Sequence, residues 1–183
     1  MTEIPGYVAG SWTIDPDHSE VAFTVRHMAV SKVRGRFDKF QGTFVTAESP
    51  LSSTVSVTVE ANSINTNNPD RDAHIRSADF FEAETHPTWT FASTGIKQED
   101  GDFLLEGDLT IKGITRPVTF SLEISGFGPD GSGGTRAVFS ASTEINRHDF
   151  DITFSASVPG VPGALVVSEK VTINLEIEAV LKS

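Results

Sequence analysis

Apolar and polar residues alternate along most of the chain with a period of two, which is the pattern of β-strands that bury one face. Near the start, Val21, Phe23 and Val25 share one phase while Thr24 and Arg26 take the other. The alternation returns along the chain in residues 40–44, 55–61, 89–91, 103–111, 118–124, 139–145 and 171–179. The pattern predicts an antiparallel all-β protein of about eight long strands.

Turn residues separate several of these strands. Asp100-Gly101 and Lys112-Gly113 are tight-turn dipeptides, and residues 126–134 form a longer glycine-rich connection. Residues 87–147 are therefore predicted to form a four-stranded meander. Long strands linked in this way favour a closed up-and-down barrel, whose interior is either filled by side chains or holds one small ligand.

One segment departs from the strand pattern. Asn68 precedes Pro69, and Asp70 and Asp72 follow within the next turn. A capping amide, a proline at the first helical position and acids near the positive end of the helix dipole are typical of a helix start. We predict one short helical excursion over about residues 69–80.

Composition adds an unusual stock of 13 phenylalanines, against 2 Trp, 1 Tyr and 2 Met. The 183 residues, of which 38% are hydrophobic and 21% charged, suit a single domain over residues 1–183. Purely apolar rings either fill a core or line an apolar cavity. In a barrel the rings can serve either purpose.

Charge excludes some partners. The 14 Lys+Arg residues are scattered among 25 Asp+Glu, and the net charge of −11 argues against nucleic acid and disfavours anionic membranes. Without cysteine there is no disulfide, thiolate zinc site or cysteine nucleophile. Residues 1–6 show no signal-peptide pattern and no long apolar run follows, so we expect a cytoplasmic protein without a transmembrane segment.

Sequence motifs give little support for a catalytic site or a cofactor site. The GxGxxG match at residues 126–131 leads into more glycines and a strand instead of a helix, so it is spurious. The five histidines show no metal-ligand spacing, and the acidic residues near His18 and His74 also suit caps and turns. There is no GxSxG elbow. We therefore predict no catalytic residue, metal or cofactor.

Two polar residues share the phase of apolar stripes. His27 continues the phase of Phe23 and Val25, and Arg147 continues that of Phe139 and Ile145. Buried polar groups need partners. One interpretation is a salt bridge or hydrogen bond to Asp72, Asp79 or Asp149 that locks the helix over the barrel end, which the general pairing of buried charges favours. The other is a polar rim that holds a ligand head group at the mouth of an apolar tunnel.

The predicted helix is dense in charge. Its side chains of opposite charge can pair with one another along a solvent-exposed helix surface. Alternatively, Arg71, His74 and Arg76 offer donors to an anionic head group, beside the aromatic cover of Phe80 and Phe81.

Taken together, several blocks resemble the YceI-like family, in family order from about residue 11 to the end. They are Trp12-Thr13-Ile14-Asp15-Pro16-Asp17-His18-Ser19, Gly35-Arg36-Phe37, Ser63-Ile64-Asn65-Thr66-Asn67-Asn68, Arg71-Asp72, His74 to Phe81, Pro87-Thr88-Trp89-Thr90-Phe91, Gly107 to Gly113 and Ile145-Asn146-Arg147-His148-Asp149-Phe150. The resemblance implies an extended, lipocalin-like antiparallel barrel that encloses an isoprenoid chain. It also implies a binding protein instead of an enzyme, often a homodimer.

Two features depart from the family pattern. The family usually has glycine after the Asp-Phe pair, where this chain has Asp151, which puts an acid next to the expected mouth. The apolar loop at residues 158–164 is also longer than expected and is a candidate cover for the tunnel.

Our hypothesis is a protein that binds and carries or stores a polyisoprenoid lipid, either an isoprenoid quinone or a polyprenyl phosphate. The predicted tunnel lining is Phe23, Val25, Phe44, Phe80, Phe81, Phe91, Phe103, Leu109, Phe120 and Phe139. The predicted head-group residues are His27, Arg71, His74, Arg76 and Arg147. The alternatives are an enzyme that uses a histidine as acid and base on a small apolar substrate, and a structural, stress-related barrel with a filled core.

Overall fold

The computed structural model describes residues 4–27, 31–156 and 167–182, and the predicted cover at residues 158–164 lies outside this part of the chain. Most of the described chain is β-strand, with one α-helix, α1. The bounds are β1 Gly10–Ile14, β2 Glu20–His27, β3 Ser31–Phe37, β4 Phe40–Thr46, β5 Thr54–Glu60, β6 Ile64–Asn65, α1 Pro69–Arg76, β7 Thr88–Glu99, β8 Asp102–Ile111, β9 Ile114–Pro129, β10 Thr135–Asn146 and β11 Val167–Leu181.

The strands close into an antiparallel barrel. The ring runs β1-β4-β5-β7-β8-β9-β10-β11 and is closed by pairing of β1 with β11. β2 follows β1 after a short turn at Pro16–His18, and both pair with β11, so they form one long kinked strand. β3 and β4 form another, because β3 pairs with β2 and β4 with β1. Neighbours in the chain are thus neighbours in the barrel, and the predicted barrel of eight strands with one helix is confirmed.

The predicted meander is also present. β7, β8, β9 and β10 follow one another in the sheet. Asp100 and Gly101 have φ of 50° and 86°, and Lys112 and Gly113 have φ of 55° and 76°. Positive φ at both central positions gives turns that match the twist of the flanking strands.

Helix α1 begins as predicted but ends early. The side chain of Asn68 accepts a hydrogen bond from the backbone N–H of Arg71 at 3.1 Å. At the other end the hydroxyl of Ser77 donates to the carbonyl of His74 at 2.6 Å and competes with the helical pattern. The chain then turns, and Phe81 N–H bonds to the carbonyl of Ile75 at 2.9 Å, so the helix stops at Arg76 instead of residue 80.

The two ends of the barrel differ. The lower end carries α1 and the turns that follow it. The upper end carries residues 4–9, where the hydroxyl of Tyr7 donates to the carbonyl of Ala47 and its ring lies 5.3 Å from that of Phe127. No helix in the described part of the chain is long and apolar enough to cross a membrane.

Candidate functional site

The barrel interior holds two adjoining cavities. The upper cavity has a volume of about 160 Å³ and the lower cavity about 350 Å³. Phe23, Trp89 and Ile173 line both, so the two cavities adjoin at these three residues. The alternative of a completely filled core does not fit this interior.

All ten residues predicted to line a tunnel border these cavities. The upper cavity is lined by Phe23, Phe44, Phe91, Phe103, Leu109, Phe120 and Phe139, and the lower by Phe23, Val25, Phe80 and Phe81. Alternation along the strands places eight of them on the inner face, while Phe80 and Phe81 lie in the turns after α1. Their contact with a ligand stays a prediction.

Two glycines make room for the rings at the wall. Gly35 on β3 lies opposite Phe23 on β2, and a Cβ at position 35 would be 2.4 Å from Cζ of Phe23. Likewise, a Cβ at Gly107 would be 2.4 Å from Cζ of Phe91. Because glycine has no side chain, each ring lies over the neighbouring backbone.

Several lining residues were not predicted from the sequence. Trp89 packs between Phe37 and Phe81, with ring centroids 4.8 Å from both. Phe154 follows the short helical turn at Arg147–Phe150, and its ring lies 5.1 Å from that of Phe80. The alternation of Phe150, Ile152 and Phe154 is the sequence pattern that could have identified this last wall.

Charge is segregated between the cavities. No charged residue is among the described residues that line the upper cavity. The described lining of the lower cavity contains no Asp or Glu, and its basic and imidazole groups are Arg26, His27, Arg71, His74 and Arg147. In a chain of net charge −11, the charged residues around the lower cavity are thus all basic, although most of its wall is apolar.

Arg147 is 4% exposed and is held by backbone carbonyls. Its Nε donates to Ser168 O at 2.9 Å, its Nη1 to Ile152 O at 2.7 Å and its Nη2 to Val167 O at 3.3 Å. Burial lowers the pKa of the guanidinium, and the charge of Glu169 opposes this shift. Arginine nevertheless remains protonated in proteins. The wall therefore contains a buried cation whose hydrogen-bond partners are neutral.

The expected ion pair of Arg147 with Asp72, Asp79 or Asp149 is wrong. Within the described residues Arg147 has no carboxylate within ion-pair distance. Asp72 accepts hydrogen bonds from Thr66, and Asp79 bonds to His74. The sequence phase correctly placed Arg147 inward, but it could not distinguish carbonyl from carboxylate partners.

Arg71 is fixed by Thr66. Its Nε donates to Oγ1 of Thr66 at 2.8 Å and its Nη2 to the carbonyl of the same residue at 2.6 Å. Asp72 holds Thr66 in place by accepting from its backbone N–H at 2.9 Å. Nη1 of Arg71 has no hydrogen-bond partner among the described residues. The guanidinium is thus positioned with donors to spare.

The other predicted head-group residues lie in different surroundings. His27 and His74 line the lower cavity, and Nε2 of His74 lies 2.8 Å from Oδ2 of Asp79. Arg76 is half-buried but is not among the described lining residues. Their roles in binding a head group stay predictions.

Asp151 has a backbone reason for its position. It ends the turn Arg147–Phe150 with φ of 57°, a left-handed conformation that glycine adopts most easily. Its side chain is exposed, its carbonyl accepts a hydrogen bond from Lys112 Nζ at 2.9 Å, and it does not line the lower cavity. The acid that departs from the family pattern therefore lies outside the cavity.

A second polar cluster lies on the outside of the barrel. Asp15, His18 and Glu178 bring oxygen and nitrogen atoms within 4.8 Å of one another. However, Nη1 of Arg136 lies 2.9 Å from both Asp15 Oδ2 and Glu178 Oε2. Hydrogen bonds from Arg136 and then His18 lower the pKa of Asp15 to about 2. The two carboxylates are thus already neutralised by an arginine.

A closed antiparallel β-barrel with an internal apolar cavity belongs to the class of lipocalin-like barrels. Sequence comparison specifies the family within this class. The family model of the YceI-like domain matches residues 12–179, and the chain belongs to that family.

Similar proteins and solved structures support this family assignment. The chain is 40% identical to Protein YceI of Escherichia coli over 148 residues, which cover 79% of this chain and 78% of the relative. The YCEI protein of Campylobacter jejuni matches with a TM-score of 0.73 and 27% identity, over 86% of this chain and 90% of that chain. A polyisoprenoid binding domain from Saccharophagus degradans matches with a TM-score of 0.70 over 93% of this chain and 98% of that chain. Its sequence identity of 18% shows a shared fold.

Proposed function

We propose that the protein binds a polyisoprenoid lipid with an anionic, phosphate-type head group and carries or stores it. The observation that carries this proposal is the placement of charge, because no charged residue borders the described part of the upper cavity and only basic ones border that of the lower cavity. An apolar chain that ends in an anion has the complementary distribution. The description of the Saccharophagus degradans domain as polyisoprenoid binding supports the same ligand class.

The upper cavity supplies affinity through burial of the chain. Removal of apolar surface from water is worth about 25 cal/mol per Å². Each isoprene unit that enters the tunnel therefore adds affinity without a polar contact. The rings that line the tunnel are held by strands, so little of this energy is lost to ordering them.

The lower cavity supplies selectivity for the head group. Arg71 is already fixed by Thr66 and Arg147 by backbone carbonyls, so neither side chain must be ordered when an anion binds. Charge-assisted hydrogen bonds are about twice as strong as neutral ones. A phosphate gains more binding free energy from hydrogen bonds to these two arginines than a quinone carbonyl does. We therefore favour the polyprenyl phosphate over the isoprenoid quinone.

An acid–base enzyme is the second candidate, because His74 has a carboxylate partner, Asp79, of the kind that orients a histidine for such chemistry. Both side chains of this pair are about half exposed, at 47% and 54%. In our proposal the role is binding, so the wild type and His74→Ala both leave the bound lipid chemically unchanged on incubation. Product formation by the wild type that His74→Ala abolishes would instead support the enzyme.

A pair of adjacent substitutions tests the tunnel. Phe120 is 3% exposed and lines the upper cavity, while Ser121 is exposed on the same strand. Phe120→Glu places a carboxylate in the apolar cavity, so we expect it to abolish loading with undecaprenyl phosphate, whereas Ser121→Glu loads normally. Native mass spectrometry measures loading, and circular dichroism checks the fold. Equal loading of the two variants contradicts the proposal.

A second pair tests the head group. Arg71→Gln keeps a polar side chain but removes the charge, and we expect about ten- to hundredfold weaker binding of undecaprenyl phosphate. Neutral undecaprenol should bind both forms alike. Arg116→Gln is the control, because Arg116 is exposed and donates to a backbone carbonyl of Asp149 at 3.0 Å. An equal loss for both lipids shows that Arg71 does not act on the phosphate.

A further inference from the structure

One outer face of the barrel differs in charge from the rest of the molecule. Residues 20–39 hold five of the 14 basic residues and two of the 25 acidic ones. This segment therefore carries three net positive charges, while the rest of the chain carries 14 net negative charges. Its exposed cations on the paired strands β2 and β3 form what we call the basic face, made of Arg26, Lys32, Arg34 and Arg36.

The pairing of the strands concentrates this charge. Arg26 lies directly opposite Lys32, an arrangement of like charges that destabilises a sheet. Arg34 and Arg36 each have an acidic partner, Glu20 at 3.0 Å and Asp38 at 2.9 Å. Arg26 and Lys32 have no ion pair within the described ranges. The structure thus keeps two adjacent, exposed and unneutralised cations at one place.

The basic face adjoins the lower cavity. Arg26 belongs to the face and also lines that cavity, and the inward residues Val25 and Val33 of the same two strands form part of its wall. Over residues 31–35, β3 pairs only with β2 among the described strands, because β6 pairs with Arg36 and Phe37. Here the cavity lies between a sheet edge and α1, which contributes Arg71, His74 and Ile75.

We propose that the basic face docks on the anionic surface of a lipid membrane and so brings the lower cavity to the bilayer. The choice of a membrane over an acidic protein rests on the proposed function, because a polyisoprenoid ligand is dissolved in a bilayer. This proposal revises the expectation that the net charge disfavours anionic membranes. At physiological ionic strength the Debye length is about 8 Å, so charges near the contact dominate over those on distant faces.

Vesicle binding tests the proposal. The wild type is centrifuged with vesicles of phosphatidylcholine alone or mixed with phosphatidylglycerol, at low and at high salt. We expect binding only to the anionic vesicles, and its loss at high salt. Each basic residue near such a surface contributes about fivefold in affinity, so Arg26→Gln with Lys32→Gln should weaken binding about thirtyfold.

A matched pair at the opposite end is the control. Lys97→Gln with Lys182→Gln removes the same charge from exposed positions near the upper end, and we expect less than a twofold effect. Equal weakening by the two pairs, or equal binding of the wild type to neutral vesicles, overturns the proposal. Binding of an acidic protein by the wild type, without any binding to anionic vesicles, also overturns it.

Loading separates this proposal from the proposed function. Undecaprenyl phosphate delivered from detergent micelles requires no membrane contact. Loading from micelles without vesicle binding contradicts membrane docking and leaves the proposed function intact. Vesicle binding without loading supports membrane docking and contradicts the proposed function.

Discussion

A single methyl group at Gly35 should narrow the tunnel. In Gly35→Ala the new Cβ would lie 2.4 Å and 2.6 Å from Cζ and Cε1 of Phe23. Carbon atoms in contact prefer separations of about 3.5–4.0 Å, so the ring must move by about 1 Å or more. Phe23 lines both cavities where they adjoin. We therefore expect its ring to move into the lumen and reduce loading with undecaprenyl phosphate.

The cost in stability follows from the same contact. Overpacking a core costs about 1–3 kcal/mol, and replacement of glycine in a strand returns about 0.5–1 kcal/mol of chain entropy. The net loss of about 1–2 kcal/mol corresponds to a fall of about 2–8 °C in Tm for a domain of this size. Thermal unfolding by circular dichroism and native mass spectrometry of the loaded protein measure the two effects.

Gly95→Ala is the matched control. Gly95 is also in a strand, and a Cβ there would meet nothing within 4 Å. This variant should unfold at or slightly above the wild-type Tm and load normally. Adding Phe23→Ala to Gly35→Ala should restore room in the tunnel. Normal loading and stability of Gly35→Ala would refute the inferred position of the Phe23 ring.

Three other substitutions test separate parts of the structure. The pKa of Asp15 is about 2 in the folded state, below its ordinary 3.8, so its stabilising effect is complete above pH 3.8 and disappears as the pH falls towards 2. Urea unfolding should show a smaller loss in Asp15→Asn than in the wild type, because Asp38 and Asp130, whose pKa values are also lowered, remain in both. Trp89→Phe should lower the unfolding free energy by only about 1 kcal/mol through lost packing, because Nε1 of Trp89 is buried without a hydrogen-bond partner among the described residues. A larger loss would reveal a partner. Asn68→Ala should cost about 1 kcal/mol in urea unfolding through loss of the helix cap, and no loss would exclude that role.

Much of the barrel interior could be predicted from alternation alone. In strands such as β8, the phase shared by Phe103, Leu105 and Leu109 is also the inward face that lines the upper cavity. A two-residue period leaves only two choices of face, and burial of rings decides between them. The same reasoning placed His27 and Arg147 inward.

The kinked strands were harder to predict. β1 has five residues, and β3 contains Gly35, so neither shows a long apolar alternation. Their place in the barrel depends on pairing with strands distant in the chain, such as β1 with β11. Residues 38 and 39 interrupt the phase between Phe37 and Phe40, although both rings line the upper cavity. Local pattern cannot supply such register shifts.

The partners of the polar site residues were also beyond the sequence. The carbonyls that hold Arg147 belong to Ile152, Val167 and Ser168, and every residue type has such a carbonyl. Composition therefore gave no indication that the charge of Arg147 lacks an acidic partner. The homodimer implied by the family resemblance stays a prediction, which light scattering of the purified protein checks.

The most direct measurement is the identity of what the native protein holds. The protein is purified without detergent, extracted with organic solvent, and the extract is analysed by mass spectrometry. We expect a polyprenyl phosphate in the wild-type extract and a much smaller amount from Phe120→Glu. Absence of any hydrophobic molecule, together with no rise in Tm on addition of undecaprenyl phosphate, would contradict the assignment of this barrel as a polyisoprenoid-binding protein.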